Sequence, residues 1–261
     1  MKRELTICTP FYNEADTLEN YFRRIEFVRA KLVEAGWTET LLLIDDGSRD
    51  KTGDALEAYA RAHAGVRAVR HPRNLGYGSA IKTALALSRT EWTVFVDADT
   101  NYDQAIVLEL AAKADDTVDL MNVSIFAPGG HAAFPWHRKL LSQSASFIYK
   151  ATLPLLTRDI HTMTCGFRFY RTAVVPRIFP VTGTFVATSE IMIRALREGL
   201  RVLEVPAANQ PRRFGRSKMK VVSESLAHLR LALTALTRRL GPPLPVEDHL
   251  RLIGQPSSKT S

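Results

Sequence analysis

The chain has 261 residues, 46% of them hydrophobic, enough for a full core and inconsistent with a disordered chain. Its formal net charge is +8, and residues 212–240 carry eight Lys/Arg against one acid, Glu224, so the excess sits in one block suited to an anionic phosphate, nucleic acid or membrane surface. The two cysteines, Cys8 and Cys165, fit a reducing compartment rather than a disulfide framework, and the absence of any ~18-residue apolar run or signal-peptide core predicts a soluble or peripheral chain.

In chain order, ELTICTP reads as a strand, and Ala15 to Ala35 as a helix with apolar residues at Leu18, Phe22, Ile25, Val28 and Leu32. TLLLIDD is apolar enough for a strand buried on both faces. A helix over Lys51–His63, a short strand VRAVRH, a helix over Ser79–Ser88 and a strand WTVFVDAD follow. Gln104–Lys113 then reads as a helix and VDLMNV as a strand. This βαβ alternation predicts a mostly parallel central sheet with helices on both faces. Beyond it, Phe134–Thr157 reads as one or two helices bent near Pro154, and GFRFYR as a strand leading into Thr172–Ile178. Ser189–Gly199 is helical, RVLEVP a strand, and Met219–Leu240 a last helix stopped by GPPLP. The expected organisation is a catalytic domain over 1–218, an amphipathic helix over 219–240 and a Pro-rich, disordered tail over 241–261.

Ligands of such sheets bind at the carboxyl ends of the strands, and the polar motifs fall there: Thr9–Glu14, Asp45–Asp50 and Asp97–Asn101. In extended chain, Asp97 and Asp99 point to one side and can converge on a divalent cation that also meets a diphosphate. Either Asp99 or Asn101 equally suits a helix cap. IDDGSRDKT places Asp45 and Asp46 where an acid could accept from a ribose or a base, though a turn and cap explain Gly47, Ser48 and Asp50. HPRNLGYGSA offers Arg73 and backbone N–H groups around Gly76 and Gly78 to an anion or a base edge; ordinary loop use of Asn and Gly is the alternative.

PFYNE, DDGSRDKT, RNLGYGSA and VDAD, in this order, resemble family 2 inverting glycosyltransferases of the GT-A fold. TCGFRFYR, SEIMIRALREGLRVLEVP and RRFGRSKMK are similar to the dolichol-phosphate mannose synthase and polyprenyl-phosphate glycosyltransferase branch, over roughly residues 4–222. The resemblance implies a nucleotide-sugar pocket at Pro10, Tyr12, Asn13, Glu14, Asp45 or Asp46, Arg73, Gly76, Gly78, Asp97, Ala98 and Asp99. It implies Mg²⁺ or Mn²⁺ at Asp97, Asp99 and Asn101. It assigns donor or acceptor phosphate to Arg212 or Arg213, Ser217 and Lys218, and catalytic roles to Asp99, Glu190, Arg213 and Lys218. This sequence departs from the branch in three places: NYDQ follows the metal motif, Ile125 stands after Ser124 where an arginine is expected, and Thr162 stands where an acid is expected, with Asp159 three residues earlier.

The implied reaction moves a sugar, with inversion, from a UDP- or GDP-linked donor to a polyprenyl phosphate at the cytoplasmic membrane face. A phosphate acceptor is largely ionised at neutral pH and needs no base; a hydroxyl acceptor, the enzymatic alternative, needs one, with Glu190 the candidate. On the last helix Val222, Leu226, Leu229, Leu233, Leu236 and Leu240 form a stripe, with His228, Arg230, Arg238 and Arg239 off it. An anionic membrane, a membrane partner, packing on the domain and dimerisation all suit that stripe. A non-catalytic nucleotide-sugar-binding module is the alternative of another class. Nucleic acid is disfavoured because only Phe214 interrupts the basic block, and a dinucleotide oxidoreductase because no G-x-G-x-x-G follows the first strand.

Overall fold

A computed structural model describes residues 3–98, 102–131, 133, 146–209, 221–237 and 240–255. Seven strands form one sheet: β1 (Glu4–Phe11), β2 (Thr38–Asp45), β3 (Val66–Arg70), β4 (Trp92–Phe95), β5 (Leu120–Ser124), β6 (Arg168–Arg171) and β7 (Val202–Pro206). Their order is β3-β2-β1-β4-β6-β5-β7. The pairs β1–β2, β2–β3, β1–β4 and β5–β7 are parallel, while β6 runs antiparallel to both β4 and β5. The expected mostly parallel α/β sheet is therefore present, with β6 inserted from the second half of the chain. Chain direction across the sheet reverses between β1 and β4, the switch point where a ligand crevice opens.

Period-two alternation sends side chains to opposite faces. Leu41 and Leu43 of β2 join Leu5, Ile7, Tyr21, Ile25 and Val28 in one apolar layer. Leu42 and Ile44 join Ala80, Ala84, Ile191, Ala232 and Leu250 in the other. The first layer lies under α1 (Leu18–Glu34), α2 (Thr52–Ala62) and α4 (Ile106–Ala112). The second lies under α3 (Tyr77–Leu87), helical residues 146–152 (α5), α6 (Pro154–Thr157), α7 (Val175–Ile178), α8 (Ala187–Arg197), α9 (Val221–Leu236) and α10 (Val246–Leu252).

Two segments of the carboxyl-terminal region differ from expectation. The tail expected from residue 241 contains α10, whose His249 and Leu250 are buried against the body, as is Ile253 just after it. Prolines 242, 243 and 245 precede this helix without entering it, so Pro-rich composition marked a connector rather than a free end. On α9, His228, Leu231, Ala232 and Ala235 face inward, while Leu226, Leu229, Leu233 and Leu236 are 41–52% exposed. The helix thus has two apolar faces, one packed and one open. Leu240 packs against the core instead of continuing the open stripe. Among the described residues no helix is long and apolar enough to cross a membrane.

Candidate functional site

Three loops meet at the carboxyl rim of β1, β2 and β3. After β1, Asn13 adopts φ 51°, a left-handed conformation Asn tolerates better than most residues. Its N–H donates to Ser48 Oγ at 2.9 Å, and its Oδ1 accepts from Arg49 N–H at 2.8 Å. Glu14 N–H donates to Thr52 Oγ1 at 2.9 Å and Ala15 N–H to Asp50 Oδ2 at 3.3 Å. The PFYNE and DDGSRDKT motifs are therefore one clamped unit. Gly47, at φ 69°, closes it: a Cβ there would lie 2.2 Å from the backbone carbon of Arg73.

The two adjacent acids have different tasks. Asp45 is buried, accepts from Ser48 N–H at 2.9 Å, and has Arg70 Nε 3.1 Å from Oδ2 in an ion pair without hydrogen-bond alignment. Asp46 is buried and its carboxylate accepts from four donors. These are His71 Nδ1 at 2.7 Å and Asn74 Nδ2, Leu75 N–H and Gly76 N–H at 2.9 Å each. It organises the 71–76 loop. Of the N–H groups around Gly76 and Gly78 expected to face an anion or a base edge, that of Gly76 serves Asp46. Gly76 has φ 94°, and a Cβ on Gly78 would lie 2.3 Å from Thr184 O, so both glycines let this loop pack tightly on residues 183–184. Arg73 is exposed at the rim.

Tyr77 joins the remaining motifs. Its hydroxyl donates to Asp97 Oδ1 at 2.8 Å, just beyond β4, and its ring stacks on Phe185 with centroids 4.5 Å apart. A Cβ on Gly166 would lie 2.1 Å from that hydroxyl, which explains a glycine in TCGF. The phenol orients the Asp97 carboxylate. Ala98 beside it is buried. Tyr77, Phe185, Gly166 and His71 were not singled out in the sequence; the available signal was an aromatic residue framed by Gly76 and Gly78.

Glu190 departs most from its expected role. It is 1% exposed. Its carboxylate accepts from Val181 N–H at 2.9 Å, Thr182 N–H at 3.0 Å, and Arg194 Nε and Nη2 at 2.9 and 2.8 Å. An acid so engaged holds the 181–185 loop and is not poised as a base. Lys82 donates to Val181 O at 3.2 Å in the same nest, and burial lowers its pKa. Arg168 of TCGFRFYR is also fully buried, donating to Asn122 Oδ1, Met163 O and Thr188 O. Two of the departures lie close together: Thr162, which stands where an acid is expected, has its Oγ1 2.7 Å from the Oγ of Ser124, the residue before Ile125. Asp159 is exposed beside Arg158 and is not part of this pair.

Asp99, Asn101, Arg212, Arg213, Ser217 and Lys218 lie outside the described residues. Of the expected metal ligands, Asp97 is the one described. A set of carboxylates and an amide oxygen fits a hard divalent ion such as Mg²⁺ or Mn²⁺.

The profile of "Glycosyl transferase family 2" matches residues 6–179. The chain is 27% identical over 229 residues to a dolichol-phosphate mannosyltransferase of Pyrococcus furiosus, covering 87% of this chain and 62% of that protein. It is 28% identical over 221 residues to a polyprenol monophosphomannose synthase of Mycolicibacterium smegmatis, covering 82% of this chain and 80% of that protein. Among solved structures it is similar to glucosyl-3-phosphoglycerate synthase from Mycobacterium tuberculosis in complex with Mn²⁺, UDP and glucosyl-3-phosphoglycerate. That likeness has a TM-score of 0.64 and 19% identity, over 98% of this chain and 82% of that one. The fold is GT-A, and the clamped loops at its switch point, lying within the span the profile matches, are those of a chain that belongs to glycosyl transferase family 2.

Proposed function

We propose that the protein transfers a hexose, with inversion, from a UDP- or GDP-linked donor to a polyprenyl phosphate in a metal-dependent reaction. The observation that carries this reading is the Asp97 carboxylate, held by Tyr77 at the switch point beside the clamped 9–15 and 45–52 loops. On this reading the nucleotide lies along Pro10–Glu14, Asp45 and Arg73. Asp97, with Asp99 and Asn101, would hold Mg²⁺ or Mn²⁺, which as a Lewis acid stabilises the departing diphosphate. Arg212, Arg213, Ser217 and Lys218 would bind phosphate oxygens, the arginines in bidentate geometry.

The engagement of Glu190 favours a phosphate acceptor over a hydroxyl, since the acid named as a base already takes four N–H donors. An ionised phosphate attacks without one. The names of the Pyrococcus and Mycolicibacterium relatives support the same acceptor class. The open leucine face of α9, together with the basic residues that the sequence places within 212–239, supports peripheral attachment to an anionic leaflet, at the cytoplasmic face. The test is incubation with polyprenyl phosphate, Mg²⁺ or Mn²⁺, and UDP- and GDP-sugars. A sugar-phospholipid product lost with chelator and with Asp97→Ala is expected. Transfer surviving both would refute metal dependence, and glycosylation of soluble hydroxyl compounds alone would refute the acceptor.

A further inference from the structure

The last helix reaches the donor-side loop through an unbroken line of short hydrogen bonds. His249 Nε2 on α10 lies 2.8 Å from Thr83 Oγ1 on α3. Thr83 Oγ1 lies 2.8 Å from His71 Nε2, and His71 Nδ1 lies 2.7 Å from Asp46 Oδ1. Asp46 in turn receives the N–H groups of Leu75 and Gly76. Every side chain in the line is buried, His249 at 1% exposure and Thr83 at 0%.

The proton inventory sets the donor at each end of the line. With backbone N–H groups on both of its oxygens the Asp46 carboxylate serves as acceptor, so His71 Nδ1 donates to it. Burial pushes His249 down to about 4, so its ring is neutral and carries one N–H. His249 Nδ1 has no partner among the described residues. With the proton on Nε2, Nδ1 keeps only an unsolvated lone pair; Thr83 Oγ1 has a single proton, taken by Ser79 O at 3.0 Å or by His71 Nε2, and so accepts from His249. An apolar side chain would fill this position without a buried orphan nitrogen; the imidazole is kept where its other nitrogen completes the line.

We propose that His249 is a positioning residue for the 71–76 loop, acting through Thr83, His71 and Asp46. The importance of that loop for the donor rests on the function proposed above. The consequence is that α10, which lies beyond the span matched by the family profile, belongs to the donor site as a working part.

The experiment compares full-length wild type, His249→Leu, His249→Gln and Thr83→Val by native-state hydrogen exchange and by titration with UDP and GDP. Gln can still donate to Thr83, Leu cannot, and Val removes the central hydroxyl while filling its space. Leu and Val are expected to speed exchange of the Leu75 and Gly76 amides by ~10-fold, with amides in β1 unchanged, while Gln stays within ~2-fold of wild type. Nucleotide Kd is expected to rise ~5-fold in the Leu and Val variants, with kcat unchanged. Equal exchange at Leu75 and Gly76 in all four proteins overturns the proposal, as does an equal effect of Leu and Gln, which would mean packing alone. If His249→Leu does not fold, Thr83→Val decides by the same amides. Absence of nucleotide binding in wild type would overturn the donor-site reading, while the exchange rates still decide the coupling.

Discussion

Tyr77 is the side chain on which three motifs and the 181–185 loop meet. Its hydroxyl reaches Asp97, its ring lies on Phe185, its backbone sits between Gly76 and Gly78, and Gly166 yields the space it occupies. Tyr77→Phe removes a hydrogen bond to a carboxylate, about 1.5–3 kcal/mol where such a bond is fully formed. Activity is expected to fall ~10-fold or more through a misdirected Asp97, with little change in Tm. Gly166→Ala brings a Cβ to 2.1 Å from the same hydroxyl, and overpacking of this kind costs about 1–3 kcal/mol. The double variant should be less impaired than the sum of the two, because phenylalanine lacks the atom that clashes; strict additivity in kinetics and melting would disprove the contact. Glu190 behaves in the opposite way. Removing one partner of a buried pair costs about 3–5 kcal/mol, so Glu190→Ala should lower Tm sharply. Activity per folded molecule should stay within a few-fold of wild type; a catalytic base would show the reverse.

Elements with one clear period were legible in the sequence. The β2 run TLLLID is apolar at successive positions because both of its faces are covered, and α1 shows its stripe because only one face is. β6 was visible as a strand, but its antiparallel place between β4 and β5 was not, since partner choice across the chain leaves no local pattern. The motif ends of β1, β2 and β4 were legible as rim positions. The division of labour between Asp45 and Asp46, the engagement of Glu190 and the meeting of Ser124 with Thr162 were not, because each depends on residues far apart in sequence. α10 was hidden by the prolines before it. α9 shows both situations at once. Its inward face was masked by an equally apolar outward one, and the outward one, Leu226, Leu229, Leu233 and Leu236, has the 3-4-3 spacing of a single stripe. Burying a half-exposed leucine gains about 1 kcal/mol. Replacing all four by serine should therefore abolish sedimentation with anionic vesicles and leave Tm unchanged or higher. Unaltered vesicle binding, or conversion of a dimer to a monomer by the same change, would exclude the lipid surface as what covers this face.

At the scale of the whole molecule, one of the two apolar layers encloses two titratable rings, and this fixes how stability responds to acid. His228 and His249 lie in the layer beneath α3 and α8; burial holds both down at about 4, against 6.5 for a free ring. His228 Nδ1 lies 2.7 Å from the hydroxyl of Tyr149, which burial keeps protonated, so the phenol donates to a neutral imidazole. His249 sits among Thr83, His71 and Lys82. Between the two values the unfolded chain binds protons at both rings and the folded chain does not. Stability is therefore full above 6.5 and is lost progressively as pH falls towards about 4. Hydrogen bonds from Thr117 and Arg201 hold Asp115 and Asp119 below the ordinary carboxylate range, and such acids surrender their contribution only below about pH 4. The interval from pH 6.5 to about 4.5 thus belongs to the histidines. Tm is expected to drop by at least about 4 °C between pH 7 and pH 5, corresponding to roughly 1 kcal/mol or more in a chain this size. His228→Gln and His249→Gln, each less stable than wild type at pH 7, should flatten that decline, and the double variant should nearly remove it. A wild-type Tm that is level across this interval, or a decline unchanged by both substitutions, would show that the rings take up protons within the folded protein and that the layer around them admits water.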